Sequence, residues 1–357
     1  MQIAELRILR LSLGVSLCLL FSQIVGWPMS FIAPVFTMLM LGLPVPAPRL
    51  KAGIGFMVLV PLILNMALLL LPTLILQPLV GLILVLIALF WSFYFVSSGG
   101  NALIGTFATV GIAVALAIGS VSVDAVLAVV DGVTIGTIVG VLFVWVAHAL
   151  LPDSKAQPID PATLPQRPEA PKPHLPTARW SAFRSMVITM PVALWFLLSS
   201  ASASYLPVLI KSASMGQQAS ADGTKAAARS LLMSTVLGGV GATVCYNLIA
   251  LVPSLALYVL LVAIAGLLFG RQIFAGPGMK PDAGTWSYGY LTMIVILAPA
   301  LGTDDTNAAI KFYERILMFF GTTLYSVAAV YVFDAFWPQP SKKQGATNEE
   351  VTDGVNA

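Results

Sequence analysis

Charge is what this chain has least of. Only 9% of its 357 residues are Asp, Glu, Lys or Arg, against about 25% in a soluble globular domain. A soluble fold is thereby excluded, because a chain of this length could not hide so much apolar surface in one core. Cysteine is nearly absent too. Cys18 and Cys245 are the two present, both inside apolar runs, which rules out a disulfide framework or a cysteine metal site. Phosphate-loop chemistry has no footing, since Gly223-Thr224-Lys225 lacks the first glycine of GxxxxGK[ST] and the hydroxyl after the lysine. There is no HExxH, CxxC or GxSxG, so no enzyme site, metal or cofactor is expected. A net charge of +3 carries no nucleic-acid meaning, because the basic residues fall in separate loops rather than on one patch.

What is present is oil. Hydrophobic residues make up 58% of the chain and the mean hydropathy is +0.93. The apolar runs are ~17 to 25 residues long, the length that crosses a bilayer as a helix. They are continuous, whereas a membrane barrel needs short alternating segments. The first half predicts spans at about Ile8 to Val25, Met29 to Leu43, Gly53 to Leu71, Leu74 to Val96, Ala102 to Gly119 and Ala125 to Leu151. The second predicts Ala182 to Ser199, Ser204 to Met215, Ala226 to Leu251, Ser254 to Phe274, Tyr288 to Leu301 and Tyr313 to Trp337. Arg7 and Arg10 precede an apolar run in the manner of a signal peptide, but Gly26-Trp27-Pro28 closes it without a small-x-small site, so the run is expected to stay as the first span.

The expected class is therefore an all-α membrane protein of about twelve transmembrane helices, arranged as two parallel six-helix repeats. The repeats are residues 1–151 and 178–338. Between them lies 152–177, where Pro152, Pro158, Pro161, Pro165, Pro168, Pro171, Pro173 and Pro176 make an extended linker. Residues 339–357 form a polar tail expected to be disordered. Charge supports the count independently, since cytoplasmic loops collect Lys and Arg. With both termini inside, every basic residue except Lys311 and Arg315 is cytoplasmic.

The halves also resemble each other. WVAHALLP, ending at Pro152, lies over YVFDAFWP, ending at Pro338. Arg10 opens the first span as Arg184 opens the seventh, Arg49 precedes the third as Arg229 precedes the ninth, and Gly99-Gly100-Asn101 recurs as Gly276-Pro277-Gly278. An even number of spans per half makes the repeat parallel, with a pseudo-twofold axis along the membrane normal. Arg10, the Gly26-Trp27-Pro28 turn, Arg49 before Gly53-Ile54-Gly55, and the closing Pro152 and Pro338 together resemble the fusaric acid resistance and aromatic acid exporter family. That resemblance implies a bacterial inner-membrane efflux component working with a periplasmic adaptor of the membrane-fusion type. Members of that family carry a sizeable cytosolic domain, so this chain would be a compact one.

Two short, proline-bearing spans at matching places point to a transporter's binding site, because broken helices are tolerated beside a cavity or ligand. Met29 to Leu43 contains Pro34, and Ser204 to Met215 contains Pro207. There Lys211 offers a cation, Ser212 and Ser214 hydroxyls, and Tyr205 a ring, so that an aromatic carboxylate would pair with Lys211 and stack on Tyr205 or Trp27. The plainer reading has Lys211 snorkelling to headgroups. Asp131 lies two turns into the sixth span from Asp124, either as a proton carrier or as the exposed first acid of a helix that starts later. Gly132, Gly136 and Gly140 form a stripe that reads as close helix packing, in the bundle or at a homo-oligomer interface. Asp304 and Asp305 make an acidic mouth on the outer side. His148 and Asp334, at equivalent inner ends, are a candidate gating pair. Asn65 and Asn247, deep in the third and ninth spans, need partners, most simply a neighbouring helix.

The expectation is the permease of an efflux system for aromatic or amphipathic organic acids, driven by an ion gradient, since no ATP site is present. The alternatives are a non-transporting scaffold for a periplasmic adaptor and a passive channel.

Overall fold

The structure is a computed structural model that describes residues 3–27, 29–100, 102–119, 123–152, 175–198, 224–276, 278–301 and 308–337. Among these the chain is helical almost throughout. Helices α1 (Ile3–Val25), α2 (Ile32–Leu41), α3 (Leu50–Leu68), α4 (Leu71–Leu76), α5 (Pro78–Ser97), α6 (Ala102–Gly119) and α7 (Val123–Leu150) make the first half. In the second half come α8 (Leu175–Leu198), α9 (Thr224–Leu251), α10 (Leu255–Ile273), α11 (Ala283–Leu301) and α12 (Ala308–Phe336). A two-residue hairpin, β1 (Phe274–Ala275) on β2 (Gly278–Met279), joins α10 to α11. Seven helical stretches among the described residues are long and apolar enough to cross a membrane, and three shorter apolar helices lie beside them. The protein is thus an all-α, multi-pass membrane fold.

Side-chain contacts fix the direction of each helix. Arg10, early in α1, donates to the carbonyl of Leu151 just past α7. A Cβ on Gly270, late in α10, would sit 3.1 Å from Ile8, early in α1. Trp145, late in α7, packs directly on Gly53, early in α3. Ser92, late in α5, bonds Gly105 and Thr109, early in α6. In the second half, Ser230 and Thr285 pair the starts of α9 and α11 at 2.7 Å, and the rings of Trp180 and Phe333 pair the start of α8 with the end of α12. One end of the bundle therefore gathers Arg7, Arg10, Arg49, Lys51, Arg179, Arg184, Arg229, Arg271 and Lys280. Arg315, in the first turns of α12, lies toward the other end.

Packing pairs recur between the halves. α1 lies on α10 as α8 lies on α5; α3 meets α6 as α9 meets α11; α5 meets α6 as α10 meets α11; and α7 meets α1 as α12 meets α8. The turns that follow α5 and α10 each need a glycine with positive φ, Gly99 at 95° and Gly276 at 53°, a conformation that costs other residues steric strain. One continuous buried core joins α1, α2, α3, α6 and α7 to α9, α10, α11 and α12.

The segment after α1 departs from a plain membrane-length helix. α2 has only ten residues, or about 15 Å at 1.5 Å per residue, half of a ~30 Å hydrocarbon core. Pro34 does not break it, because it lies in the first turn, where its missing N–H has no partner to lose. The break comes afterwards, where the chain leaves the helix at Gly42 and runs without regular backbone pairing from Val45 to Arg49. Pro44, Pro46 and Pro48 alternate along this strap. Each removes a backbone donor from a stretch that has no regular backbone pairing. Because α1 and α3 begin at the same end of the bundle, the segment from Gly26 to Arg49 traverses it instead of turning back.

The stretch that follows is likewise divided, α3 ending at Leu68 and the six-residue α4 beginning at Leu71.

Candidate functional site

α2 is held by close approach of backbones. Ile32, Ala33, Phe36 and Thr37 face α7, where a Cβ on Gly136 would meet Ile32 at 2.9 Å and one on Gly140 would meet Phe36 at 2.7 Å and the Ala33 carbonyl at 3.0 Å. The Thr37 hydroxyl donates to Ala33 at 3.0 Å or across the gap to the Gly140 carbonyl at 3.2 Å. On the other side Gly14 of α1 admits Leu41 and the Ala147 methyl, which a Cβ would meet at 2.9 Å. Gly132 is buried on the same helix as Gly136 and Gly140. Glycines on α1 and α7 thus seat a half-helix that is buried on most of its circumference.

The strap that follows α2 lies at the basic end of the bundle. Leu41, Leu43 and Val45 line a small pocket together with Arg7, Arg10 and His148. Arg10 is 3% exposed, and its Nε and Nη2 donate to the Leu151 carbonyl at 3.1 and 2.6 Å. It thereby caps the C-terminus of α7, whose last carbonyls carry partial negative charge. His148 makes a 2.8 Å contact between Nδ1 and the Val144 carbonyl one turn back. The Trp145 indole donates to the Pro48 carbonyl at 2.9 Å, fixing the far end of the strap. Leu43 and Val45 remain 46% and 52% exposed. This pocket, no larger than a water molecule, combines two guanidinium groups and an imidazole with apolar side chains.

The other sequence candidates are placed as follows. Trp27 follows α1 with its ring 6.3 Å from Phe21, and its buried Nε1 has no hydrogen-bond partner among the described residues. Asp131 is exposed on α7. That helix begins at Val123, about 12 Å before Asp131 along the axis, so Asp131 is not a helix-terminal acid. Its exposed neighbours on the same face are Leu127, Ile135 and Ile138. Asp334 lies in the last turn of α12. Tyr205, Lys211, Ser212, Ser214, Asp304 and Asp305 lie outside the described residues. The structure thus brings Arg7, Arg10 and His148 together.

Asn65 and Asn247 differ from expectation. Each is exposed, and each donates to the carbonyl four residues back in its own helix, Pro61 and Thr243, at 2.8 Å. An amide needs no neighbouring helix when its own turn can accept the bond.

Sequence reasoning missed the strap as a lining element. Its signal is the Pro44, Pro46, Pro48 alternation, which removes donors at every second position. It also missed buried hydroxyls that decline their own helix. Among the described residues, the Ser185 and Thr189 hydroxyls and the Tyr258 phenol are buried without a hydrogen-bond partner.

Residues 7–147 match a family described as a protein of unknown function, DUF2955. The matched stretch runs from early in α1 to the last turn of α7. No curated protein and no solved structure matches the chain.

Proposed function

We propose that this protein is the permease of a bacterial inner-membrane efflux system for aromatic or other amphipathic organic acids. The observation that carries the reading is the divided second crossing, a half-helix followed by a donor-poor strap whose exposed Leu43 and Val45 stand beside Arg7, Arg10 and His148. Irregular backbone at membrane depth is tolerated where it lines a cavity or pathway. In this reading the basic end of the bundle is cytoplasmic, both termini lie there, and the anion enters beside the strap.

The reading includes twelve crossings in two parallel six-helix repeats. Its supports are the recurring packing pairs, the buried Arg10 and Arg184 at equivalent helix positions, the matched positive-φ Gly99 and Gly276, and a family match that spans one half. A periplasmic adaptor would dock at the opposite end. With no ATP-binding loop in the sequence, outward movement draws on an ion gradient, and Asp131 is the candidate proton carrier.

The test is transport by the purified full chain in proteoliposomes. Inverted vesicles with an imposed proton gradient are expected to accumulate benzoate or naphthoate, and an uncoupler is expected to abolish the uptake. Flux that follows only the benzoate gradient and ignores the uncoupler would identify a channel; no flux of any aromatic carboxylate would sink the permease reading.

A further inference from the structure

Outside its basic end the first half is almost without charge. Between Lys51 and Leu151 the only Asp, Glu, Lys or Arg residues are Asp124 and Asp131. Asp124 stands at the start of α7, before the apolar span Val126–Leu150 begins. Asp131 lies inside that span, about 7.5 Å below its edge at 1.5 Å per residue, and it is exposed in a stripe with Leu127, Ile135 and Ile138. A carboxylate at that depth is costly unless an opposite charge comes to it. Arg49 and Lys51, at the start of α3, are too far along that helix to do so, about 24–27 Å from the level of Asp131.

Beside it is a cavity. Where α3 gives way to α4, Leu68, Leu71, Ile75 and Leu76 face Val126 and Leu127 of α7 across about 440 Å³, a volume in the range of small-molecule sites, with a described lining that is wholly apolar. The register of the two helices joins this space to the carboxylate. Trp145 of α7 packs directly on Gly53 of α3, and Leu127, about five whole turns earlier, points the same way. The helices are antiparallel, so that contact sets Leu71 opposite Leu127, as their shared cavity requires, and Ala67 opposite Asp131. Asp131 follows Leu127 by one turn, only about 40° further round the helix, which brings their Cβ atoms within about 5–6 Å. It therefore stands on the inner rim of the cavity, level with Leu68.

We propose that this groove between α3, α4 and α7 binds a lipophilic organic cation, its apolar body in the cavity and its charge against Asp131. Charge complementarity selects the occupant. An acyl chain would fill the space and leave the carboxylate unpaired, and the phosphate of a phospholipid would repel it. Lipid tails are as apolar as the lining, so filling the cavity gains little by itself. The ion pair, formed in surroundings of low dielectric, sets the affinity. A proton and the cation exclude one another at the same carboxylate. The site goes beyond the permease reading and does not depend on it, since the acids of that reading carry the opposite charge.

The test measures saturable binding of tetraphenylphosphonium to the full chain in nanodiscs, against empty nanodiscs, with tetraphenylborate as the competitor of like shape and opposite charge. Wild type is expected to retain the cation, and tetraphenylborate is expected not to displace it. Asp131→Asn should weaken binding at least ~10-fold, the loss of one ion pair away from water, while Asp131→Glu, which keeps the charge, should bind. Leu127→Trp, which fills the cavity, should weaken binding as well. Asp124→Asn is the control for diffuse attraction, because that residue lies before the span, and it should bind as wild type does. Retention no greater than in empty nanodiscs overturns the site and leaves the permease reading standing. An equal loss in Asp124→Asn would mark attraction to an acidic surface, and a loss in Leu127→Trp without one in Asp131→Asn would mark an uncharged occupant such as an acyl chain; either result overturns the proposal.

Discussion

Replacing Gly140 with Ala tests how α2 is held. The added Cβ would lie 2.7 Å from the Phe36 Cβ, 3.0 Å from the Ala33 carbonyl and 3.4 Å from the Thr37 amide. Two of those are backbone atoms, which cannot swing aside as a flexible side chain would, so α2 must move away from α7. Overpacking of this kind costs about 1–3 kcal/mol. The displacement also stretches the Thr37 bond to the Gly140 carbonyl, already 3.2 Å, for about another 0.6 kcal/mol in a membrane setting. Better helix propensity returns about 1 kcal/mol, leaving a net loss of roughly 0.6–2.6 kcal/mol. Gly55 of α3 supplies the control, because a Cβ there meets no described atom within 4 Å, so Gly55→Ala should be neutral or stabilising. Reversible unfolding in mixed micelles titrated with denaturing detergent reads the difference. If Gly140→Ala proves as stable as Gly55→Ala, α2 is not seated by backbone contact with α7 and the account of the half-helix fails.

Other outcomes follow from single contacts. Tyr258→Phe should stabilise the protein by about 1–3 kcal/mol, since the buried phenol has no partner among the described residues; a fall in unfolding free energy would reveal a bond that the phenol makes. Trp145→Phe removes the 2.9 Å donor to Pro48 and should cost about 1 kcal/mol, with faster cleavage of the strap by added protease as the check. Asp131→Asn should leave the unfolding midpoint unchanged, because the residue is exposed, yet abolish gradient-driven uptake of benzoate. Retained uptake at the wild-type rate would discharge Asp131 from proton carriage.

Hydropathy and charge made the class legible, because lipid leaves helices few compositions to choose from, and the distribution of Arg and Lys marked which helix ends share a side. The Gly136 and Gly140 spacing read directly as close packing, since a missing Cβ at that period has few other uses. The short segment carries Pro34 inside it and Pro44 at its end, and the helix stops at Gly42, beside the second of these and not at the first. Proline in a first turn and proline in an interior look identical until the start of the helix is known. The burial of Ser185 and Thr189 on α8 was invisible for a related reason. An all-round apolar helix carries no amphipathic stripe to set its rotation, which here is decided by Phe93 on one side and Val330 on the other.

Burial of α2 between α1 and α7 imposes an order on biogenesis. The half-helix leaves the ribosome beside α1, but the glycines that receive it on α7 follow about 95–100 residues later, some 5–20 s at ordinary rates of synthesis. During that interval its carbonyl end and the strap have no α7 to lie against. The first half therefore closes only once its last helix has been inserted, and a chain cut before Gly136 would leave α2 with α1 and the rings of Phe56 and Phe107 but without the α7 glycines that seat it.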